Sequence, residues 1–338
     1  GVIQEDSKWA YAKEKHYKSA LKESLEKETH WRIEAESLKR HIHKNFSKEQ
    51  IYGNFLSALG VSLEREEEKV DILREQALGI KDAKQRATFL QEKITDLSIQ
   101  SEKLRLLKDI FEGEKCYVLS CGPSLTEHDQ AKVASLLENN LVVSIKQAYD
   151  LFSTLTDFHV YNCANFKKYD YARHRPLVME ASTTPFKLGE CDLKFFIRER
   201  NFDNSVAEKK NFDDWTLDKQ SMLRPYGPGI MYEAVFYLLQ HLGVSEIVTI
   251  GWDNKLVSSD AGKQHFYDKE NSEFDKEEFI HSNEVAKNEN AVKTLTHEAE
   301  ITTNAIESWY TWLKENGCTL KIISPYNPAP DNIERVEI

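Results

Sequence analysis

Two patterns of apolar residues divide the chain near residue 113. Before that point, apolar residues recur three or four positions apart, which is the spacing of one face of an α-helix. After it, short runs rich in β-branched and aromatic residues alternate with helical stretches, as in α/β proteins. The sequence therefore predicts an all-α region over 1–112 and an α/β domain over 113–338.

The all-α region should consist of two to four long helices. Residues 5–112 contain no Pro and only three glycines, which mark the predicted breaks between helices: Gly53, Gly60 and Gly79. Near its end, six residues approximate a heptad seam, with Ser101 as the one polar member: Leu90, Ile94, Leu97, Ser101, Leu104 and Phe111. We expect a helical hairpin or short coiled coil that joins copies of the chain into a homo-oligomer.

The α/β domain contains six short apolar runs that are predicted strands: Cys116–Ser120, Leu141–Ile145, Phe158–Tyr161, Leu193–Ile197, Glu246–Ile250 and Leu320–Ile323. Helices are predicted at 129–139, 229–242 and about 292–316. This order predicts a doubly wound, mostly parallel Rossmann-like sheet. Three long connections, at 163–190, 199–222 and 254–290, are expected to contribute to a site beyond the carboxyl ends of the strands.

A tight turn follows the first predicted strand. Gly122, Pro123 and Ser124 interrupt the apolar run before a helical stretch. Glycine lets the backbone approach a ligand closely, and the N-terminus of a helix attracts phosphate. The motifs G-x-G-x-x-G and Gly-Lys-Ser/Thr are both absent, which excludes the dinucleotide fingerprint and the P-loop. A strand–turn–helix without any ligand is the competing interpretation.

A second glycine-rich turn precedes an apolar helix and the next strand. Gly227, Pro228 and Gly229 open the helix, and Asp253 follows the strand end at Gly251. A glycine-rich helix start presents backbone N–H groups to an anion. An Asp just beyond a strand lies where ligands bind in open α/β sheets. Ordinary turn chemistry for the glycines and helix capping by Asp253 are the alternatives.

Composition narrows the function classes. The 338 residues carry a net charge of −11, which argues against a general nucleic-acid binder. No apolar run is long enough for a spanning helix. The five scattered cysteines predict reduced thiols and a cytoplasmic protein, with peripheral membrane association left open: Cys116, Cys121, Cys163, Cys191 and Cys318. The chain begins at Gly1 without Met, so we expect it to be part of a longer protein.

Several motifs resemble a known enzyme group. The stretch Ser120–Leu125 resembles the G-N-G-P-S-L motif of the bacterial sialyltransferases of glycosyltransferase family 42. The helix at Gly229 and the strand end Val248–Asp253 resemble that family's S-G helix and L-S-G-I-D element. Val160–Asn162 resembles its F-Y-N element, and Ser324–Asn327 its C-P-N turn. The related motility-associated transferases that modify flagellin share this layout, and the resemblance covers roughly 115–330.

The resemblance implies a GT-A-like, inverting glycosyltransferase that does not depend on a metal. Such an enzyme transfers a nonulosonic or ulosonic acid (sialic-type, pseudaminic, legionaminic or Kdo) from its CMP-activated donor. The acceptor would be a hydroxyl group of a bacterial surface glycan, a lipid-linked glycan or a glycoprotein. No cofactor beyond the CMP-sugar is implied, and Mg²⁺ is not expected to be essential.

The resemblance also implies residue roles. Gly122, Pro123 and Ser124 would line the nucleotide phosphate and ribose. The other implied donor contacts are Asn162, Gly227, Pro228, Gly229 and Asp253. Tyr267 would supply a phenol to the leaving phosphate. His297 would be the base, with His265 and His281 as rivals, because imidazole accepts a proton near neutral pH.

The sequence departs from the family pattern at several positions. Cys121 stands where the family has Asn, and Lys146 stands where Asn is expected. Pro228 replaces a hydroxyl residue. Lys146 would pair with a phosphate or the donor carboxylate, or would merely be exposed after the strand. These departures predict a donor sugar or acceptor different from that of the sialyltransferases.

Two other functions remain open. Archaeal pterin pyrophosphokinases are similar around G-x-G-P-S-L and G-x-D, and they would require ATP and Mg²⁺. A non-catalytic coiled-coil scaffold is the third hypothesis, in which the α/β domain no longer catalyses a reaction. Nucleotide binding and its metal dependence would distinguish the three.

Overall fold

The computed structural model describes residues 63–162, 167–183, 186–198, 202–219, 223–254, 265–268 and 289–338, with a few isolated positions before residue 63. Contacts divide the chain into two units, Gly1–Arg65 and Glu66–Ile338. In the first unit Gly53 is helical, so the helix break predicted there is not found at that residue. The break at Gly60, and any pairing of copies through this unit, lie outside the described residues.

In the part of the chain described from residue 63 onward, three helices precede the sheet: α1 (Leu63–Gly79), α2 (Ala83–Lys93) and α3 (Gln100–Leu107). Gly79 ends α1, as predicted. Asp82 caps α2 by accepting a hydrogen bond of 2.8 Å from the backbone N–H of Gln85. The predicted heptad seam does not form a coiled coil here, because its apolar residues are buried in the core that the strands share: Leu90, Ile94, Leu97, Leu104 and Phe111.

The boundary predicted at residue 112 therefore differs from the division at Arg65/Glu66. Helical periodicity identifies an apolar stripe but not the surface that the stripe covers. Here the stripes of α1, α2 and α3 pack into the same core as the strands, with Val70, Leu90 and Leu107 fully buried. These helices are part of the α/β unit.

Eight described strands form one parallel sheet: β1 (Lys115–Leu119), β2 (Leu141–Ile145), β3 (Phe158–Tyr161), β4 (Leu177–Ser182), β5 (Leu193–Ile197), β6 (Leu223–Arg224), β7 (Glu246–Ile250) and β8 (Thr319–Ile323). Their order is β6-β5-β4-β3-β2-β1-β7-β8, and every pairing is parallel. The predicted doubly wound, Rossmann-like sheet is confirmed. Val118 of β1 lies between Val143 of β2 and Thr249 of β7, so β1 is the strand at which the order reverses.

Two strands were not predicted. β4 lies inside the stretch 163–190, which the sequence indicated to be a connection, and β6 is only two residues long. Glu180 interrupts the apolar pattern of β4, yet it is fully buried because Lys194 and Ser182 donate hydrogen bonds to it. The other six strands agree with the predicted ones to within one residue.

The remaining described helices lie beside the sheet: α4 (Ser124–Glu127), α5 (Gln130–Leu137), α6 (Ala148–Leu151), α7 (Val206–Lys209), α8 (Phe236–Leu242) and α9 (Glu289–Glu315). The predicted helices at 129–139 and about 292–316 correspond to α5 and α9. A π-helical turn, Met231–Val235, precedes α8. Within the described parts of the chain, every helix is too short or too polar to cross a lipid bilayer.

Candidate functional site

A cavity opens where the strand order reverses. From β1 the sheet extends through β2 to one side and through β7 to the other. In doubly wound sheets, ligands bind in the crevice beyond the carboxyl ends of two such strands. The cavity here has a volume of about 250 Å³ and is lined by six of the residues that were predicted as donor contacts: Cys121, Gly122, Lys146, Pro228, Gly229 and Asp253.

Gly122 is the point of closest approach between the turn after β1 and the end of β7. A Cβ atom on Gly122 would lie 2.4 Å from both the Oδ2 atom of Asp253 and the carbonyl oxygen of Gly251. The N–H of Gly122 donates to that same carbonyl at 2.8 Å. Glycine is therefore required by the packing of the turn, in addition to its place in the cavity wall.

The Asp253 carboxylate joins three segments of the chain. Its Oδ2 atom accepts a hydrogen bond of 2.9 Å from the backbone N–H of Ser124. Its Oδ1 atom accepts from the hydroxyl groups of Ser124 and Ser324. The side chain is 3% exposed, and both oxygens are used within the protein. Asp253 thus holds the turn after β1, the end of β7 and the segment after β8 together at the cavity.

Pro123 is half-buried at the start of α4 and does not line the cavity. Ser124 is fully buried beneath the turn, where its bonds to Asp253 hold it. Asn162, at the end of β3, is also buried, and its Nδ2 atom donates to Glu233 Oε2 at 3.2 Å. These three residues surround the site without forming its described wall.

The second glycine-rich turn forms one side of the cavity. Gly229 has a φ of 78°, which glycine adopts without strain. Gly227 packs against the helix, since a Cβ atom there would lie 2.6 Å from Glu233 Cγ. The first helical turn is the π-turn, and such turns are frequent at functional sites. Ile230 and Met231 continue the cavity wall from Gly229.

Lys146 follows β2 and has the left-handed φ of 46°, which is uncommon for a residue with a side chain. Lys146 is half-buried and lines the cavity. Beside it, Cys121 Sγ donates to the carbonyl oxygen of Ile145 at 3.2 Å. Burial raises the pKa of Cys121 to about 11, although the nearby Lys146 ammonium acts in the opposite direction. The thiol is therefore protonated at neutral pH.

Ser120, the first residue of the motif Ser120–Leu125, is a site residue to which the resemblance assigns no role. It is 7% exposed and lines the cavity, and its hydroxyl has no hydrogen-bond partner among the described residues. Buried hydroxyl groups almost always have a partner, because an unmade hydrogen bond leaves the cost of desolvation uncompensated. In the sequence, Ser120 can be recognised only as the polar residue that directly follows the apolar run of β1.

His265 lines the cavity on a short segment that docks against the turn after β1. The N–H of Phe266 donates to the carbonyl oxygen of Cys121 at 2.8 Å, which fixes the segment there. The His265 ring stacks on Tyr267, with centroids 4.7 Å apart and planes 8° apart. Tyr267 is buried and is not part of the cavity wall. Its role toward the leaving phosphate stays a prediction.

The side chain of His297 is 53% exposed and lies against Phe202, outside the cavity wall, with ring centroids 4.8 Å apart. The next residue, Glu298, does line the cavity, and its carboxylate accepts a hydrogen bond from the hydroxyl of Tyr226. The rival His281 lies outside the described residues. Of the three histidines considered for the base, His265 is the one that the structure places in the cavity wall.

Within the described ranges, no group of three or more His, Cys, Asp or Glu side chains is arranged to hold a metal ion. The metal requirement stays a prediction.

No family model matches this chain. No curated protein matches it either. The functional assignment therefore depends on the cavity itself and on the motifs that surround it.

Proposed function

We propose that this protein is a glycosyltransferase that binds a CMP-activated ulosonic acid in the cavity between the ends of β1 and β7. The observation that carries the proposal is the convergence of both glycine-rich motifs on this one cavity. They are separated by about a hundred residues in the sequence and meet at the switch point of a parallel sheet. Ligands of doubly wound sheets bind at such points.

The cavity suits an anionic ligand. Lys146 supplies a cation, and the helix that begins after Gly229 presents backbone N–H groups at its positive end. The unpartnered hydroxyl of Ser120 adds a group that can donate to a phosphate oxygen. Together these groups match the phosphate of a nucleotide.

The reaction requires a base for the acceptor hydroxyl. The acceptor oxygen attacks the anomeric carbon, the bond from that carbon to the CMP phosphate oxygen breaks, and the base takes the hydroxyl proton. We assign the base to His265, because its ring lines the cavity and histidine is the side chain that most often serves as a general base. The attack proceeds with inversion at the anomeric carbon.

Three of the positions that depart from the family pattern line the cavity: Cys121, Lys146 and Pro228. Because these departures lie in the wall of the cavity that is proposed to bind the donor, they favour a donor sugar other than that of the sialyltransferases. Pseudaminic, legionaminic and Kdo donors are therefore included with the sialic-type ones. The acceptor is proposed to be a glycan, a lipid-linked glycan or a glycoprotein, and homo-oligomer formation through the N-terminal region remains part of the proposal.

The assignment is tested by donor turnover. The full chain is incubated with each of the four CMP-activated acids and a hydroxyl acceptor, with and without EDTA, and released CMP is measured. We expect release from at least one donor, unaffected by EDTA. Turnover only with ATP, Mg²⁺ and a pterin would establish the kinase alternative, and the absence of all turnover and nucleotide binding would favour the scaffold.

Paired histidine variants test the base. His265→Gln should lower kcat by about a hundredfold or more, which is the usual loss when a general base is removed. His297→Gln is the matched control, and it should change kcat by less than about threefold because its ring lies outside the cavity. The reverse pattern would transfer the role to His297, as the family resemblance implies.

A further inference from the structure

The backbone of Lys146 is held in a conformation that its side chain disfavours. Its φ of 46° is adopted readily by glycine and only occasionally by other residues. Its N–H donates to the carbonyl oxygen of Val160 at 3.0 Å. Its carbonyl oxygen accepts from the N–H of Tyr149 at 3.2 Å and lies 2.9 Å from His159 Nε2. Such conformations persist where the surroundings hold them, and they cluster at functional sites.

The contact with Lys146 fixes the tautomer of His159. A carbonyl oxygen can only accept a hydrogen bond, so the Nε2 atom of His159 must carry the proton. The Nδ1 atom is then an acceptor, and the hydroxyl of Tyr171 lies 2.7 Å from it. Both ring nitrogens are satisfied by the neutral imidazole, and the ring is fully buried.

Aromatic packing fixes the orientation of the same ring. Tyr149 stacks on His159 with centroids 4.7 Å apart and planes 20° apart. Tyr169 meets its edge at 4.4 Å and 88°. The Nε2–H is therefore aimed at one carbonyl group by a ring that has little room to turn.

We propose that Tyr171 and His159 are positioning residues that hold the backbone of Lys146 so that its ammonium binds the phosphate of the nucleotide. This inference rests on the proposed function. Lysine binds phosphate as a point charge. The strength of the contact depends on where the ammonium lies, and the ammonium can reach only positions that the Cα atom of Lys146 allows. The left-handed backbone sets the direction in which the Lys146 side chain leaves its Cα atom. The Tyr171–His159 pair therefore acts on the ligand through Lys146.

The identity of residue 146 separates a ligand role from a folding role. If this position served only the fold, glycine would serve it better, because glycine removes the strain at positive φ. Lys146→Gly should therefore leave the melting temperature unchanged or raise it. The same variant should lose phosphate binding, since the ammonium is gone.

The test compares CMP with cytidine, which lacks the phosphate. Calorimetric titration of the full chain should give tighter binding of CMP than of cytidine. Lys146→Gly should lower the affinity for CMP by about tenfold or more, the equivalent of one hydrogen bond to a charged group. The affinity for cytidine should not change. Tyr171→Phe should weaken CMP less, because Tyr171 acts one step further from the ligand.

Two variants of His159 form the matched pair. In His159→Gln, the side-chain amide can still donate to the Lys146 carbonyl oxygen, so the ratio of CMP to cytidine affinity should be kept. In His159→Leu that donor is lost, and the ratio should fall toward that of Lys146→Gly. A purely structural role of His159 would instead weaken both ligands alike in both variants.

The outcomes are distinct. An unchanged CMP-to-cytidine ratio in Lys146→Gly would overturn the phosphate role of Lys146. The positioning role of His159 would be overturned if His159→Leu kept the wild-type ratio of CMP to cytidine affinity, or if it lowered the affinity for both ligands to the same extent. If the wild-type chain bound neither CMP nor cytidine, the proposed function would fail first and this inference with it.

Discussion

Gly122 and Asp253 show how roles assigned to single residues change once their neighbours are known. Both residues were predicted to contact the nucleotide, and both line the cavity. Their hydrogen bonds are nevertheless made within the protein: the N–H of Gly122 donates to the carbonyl oxygen of Gly251, and Asp253 accepts from Ser124, which is 129 positions away in sequence. A motif shows which residue types occur at a turn. It does not show the hydrogen bond between Ser124 and Asp253, which depends on the packing of β1 against β7.

The packing at Gly122 gives a residue-scale prediction. Gly122→Ala should lower the free energy of unfolding by about 3 kcal/mol, since the new methyl group would overlap Asp253 and the backbone of Gly251. Gly79→Ala is the control, because a Cβ atom there meets nothing within 4 Å. Urea denaturation of both variants measures the difference. Equal, small effects would contradict the close packing of the turn.

At the scale of elements, the apolar runs located six strands because each run is short, buried and bounded by turn residues. β4 escaped detection because it carries a buried charge. Burial alone would raise the pKa of Glu180, but hydrogen bonds from Lys194 and Ser182 outweigh that effect and lower it. The sequence shows that Glu180 is charged, but it does not show that Glu180 pairs with Lys194. That pairing follows from the register of β4 and β5 in the sheet.

The buried pair between β4 and β5 gives the element-scale prediction. Lys194→Met should lower the free energy of unfolding by about 3–5 kcal/mol, because it leaves the Glu180 carboxylate buried without its cation. The double variant Glu180→Gln with Lys194→Met should recover at least half of that loss, since no charge remains. A double-mutant cycle in urea measures the coupling. A loss below about 1 kcal/mol in the single variant would contradict the pairing.

At the scale of the whole molecule, the sequence predicted the α/β architecture but placed its beginning too late. The helical periodicity of residues 1–112 predicts a helical hairpin or short coiled coil, but the same periodicity occurs in a helix that packs on a sheet. The buried residues of α1, α2 and α3 assign these helices to the unit Glu66–Ile338.

Truncation tests the division. A chain of residues 66–338 should unfold cooperatively near the melting temperature of the full chain. A chain of residues 111–338 should not fold, because it lacks several fully buried side chains, among them Val70, Leu90 and Leu107. Each such loss costs about 2–5 kcal/mol, and the whole domain is stable by only about 5–15 kcal/mol. Cooperative unfolding of the shorter chain would restore the boundary at residue 112.

The cavity between the ends of β1 and β7 is proposed to bind the nucleotide, and Ser120 lies in its wall. Calorimetric titration of the full chain with CMP and with ATP, each with and without Mg²⁺, is compared between the wild type and Ser120→Ala. We expect CMP to bind without Mg²⁺ and Ser120→Ala to weaken that binding by about threefold to tenfold, the value of one hydrogen bond. The melting temperature of Ser120→Ala without ligand should stay the same or rise. Binding of ATP alone with Mg²⁺, or CMP binding that Ser120→Ala leaves unchanged, would contradict the proposal.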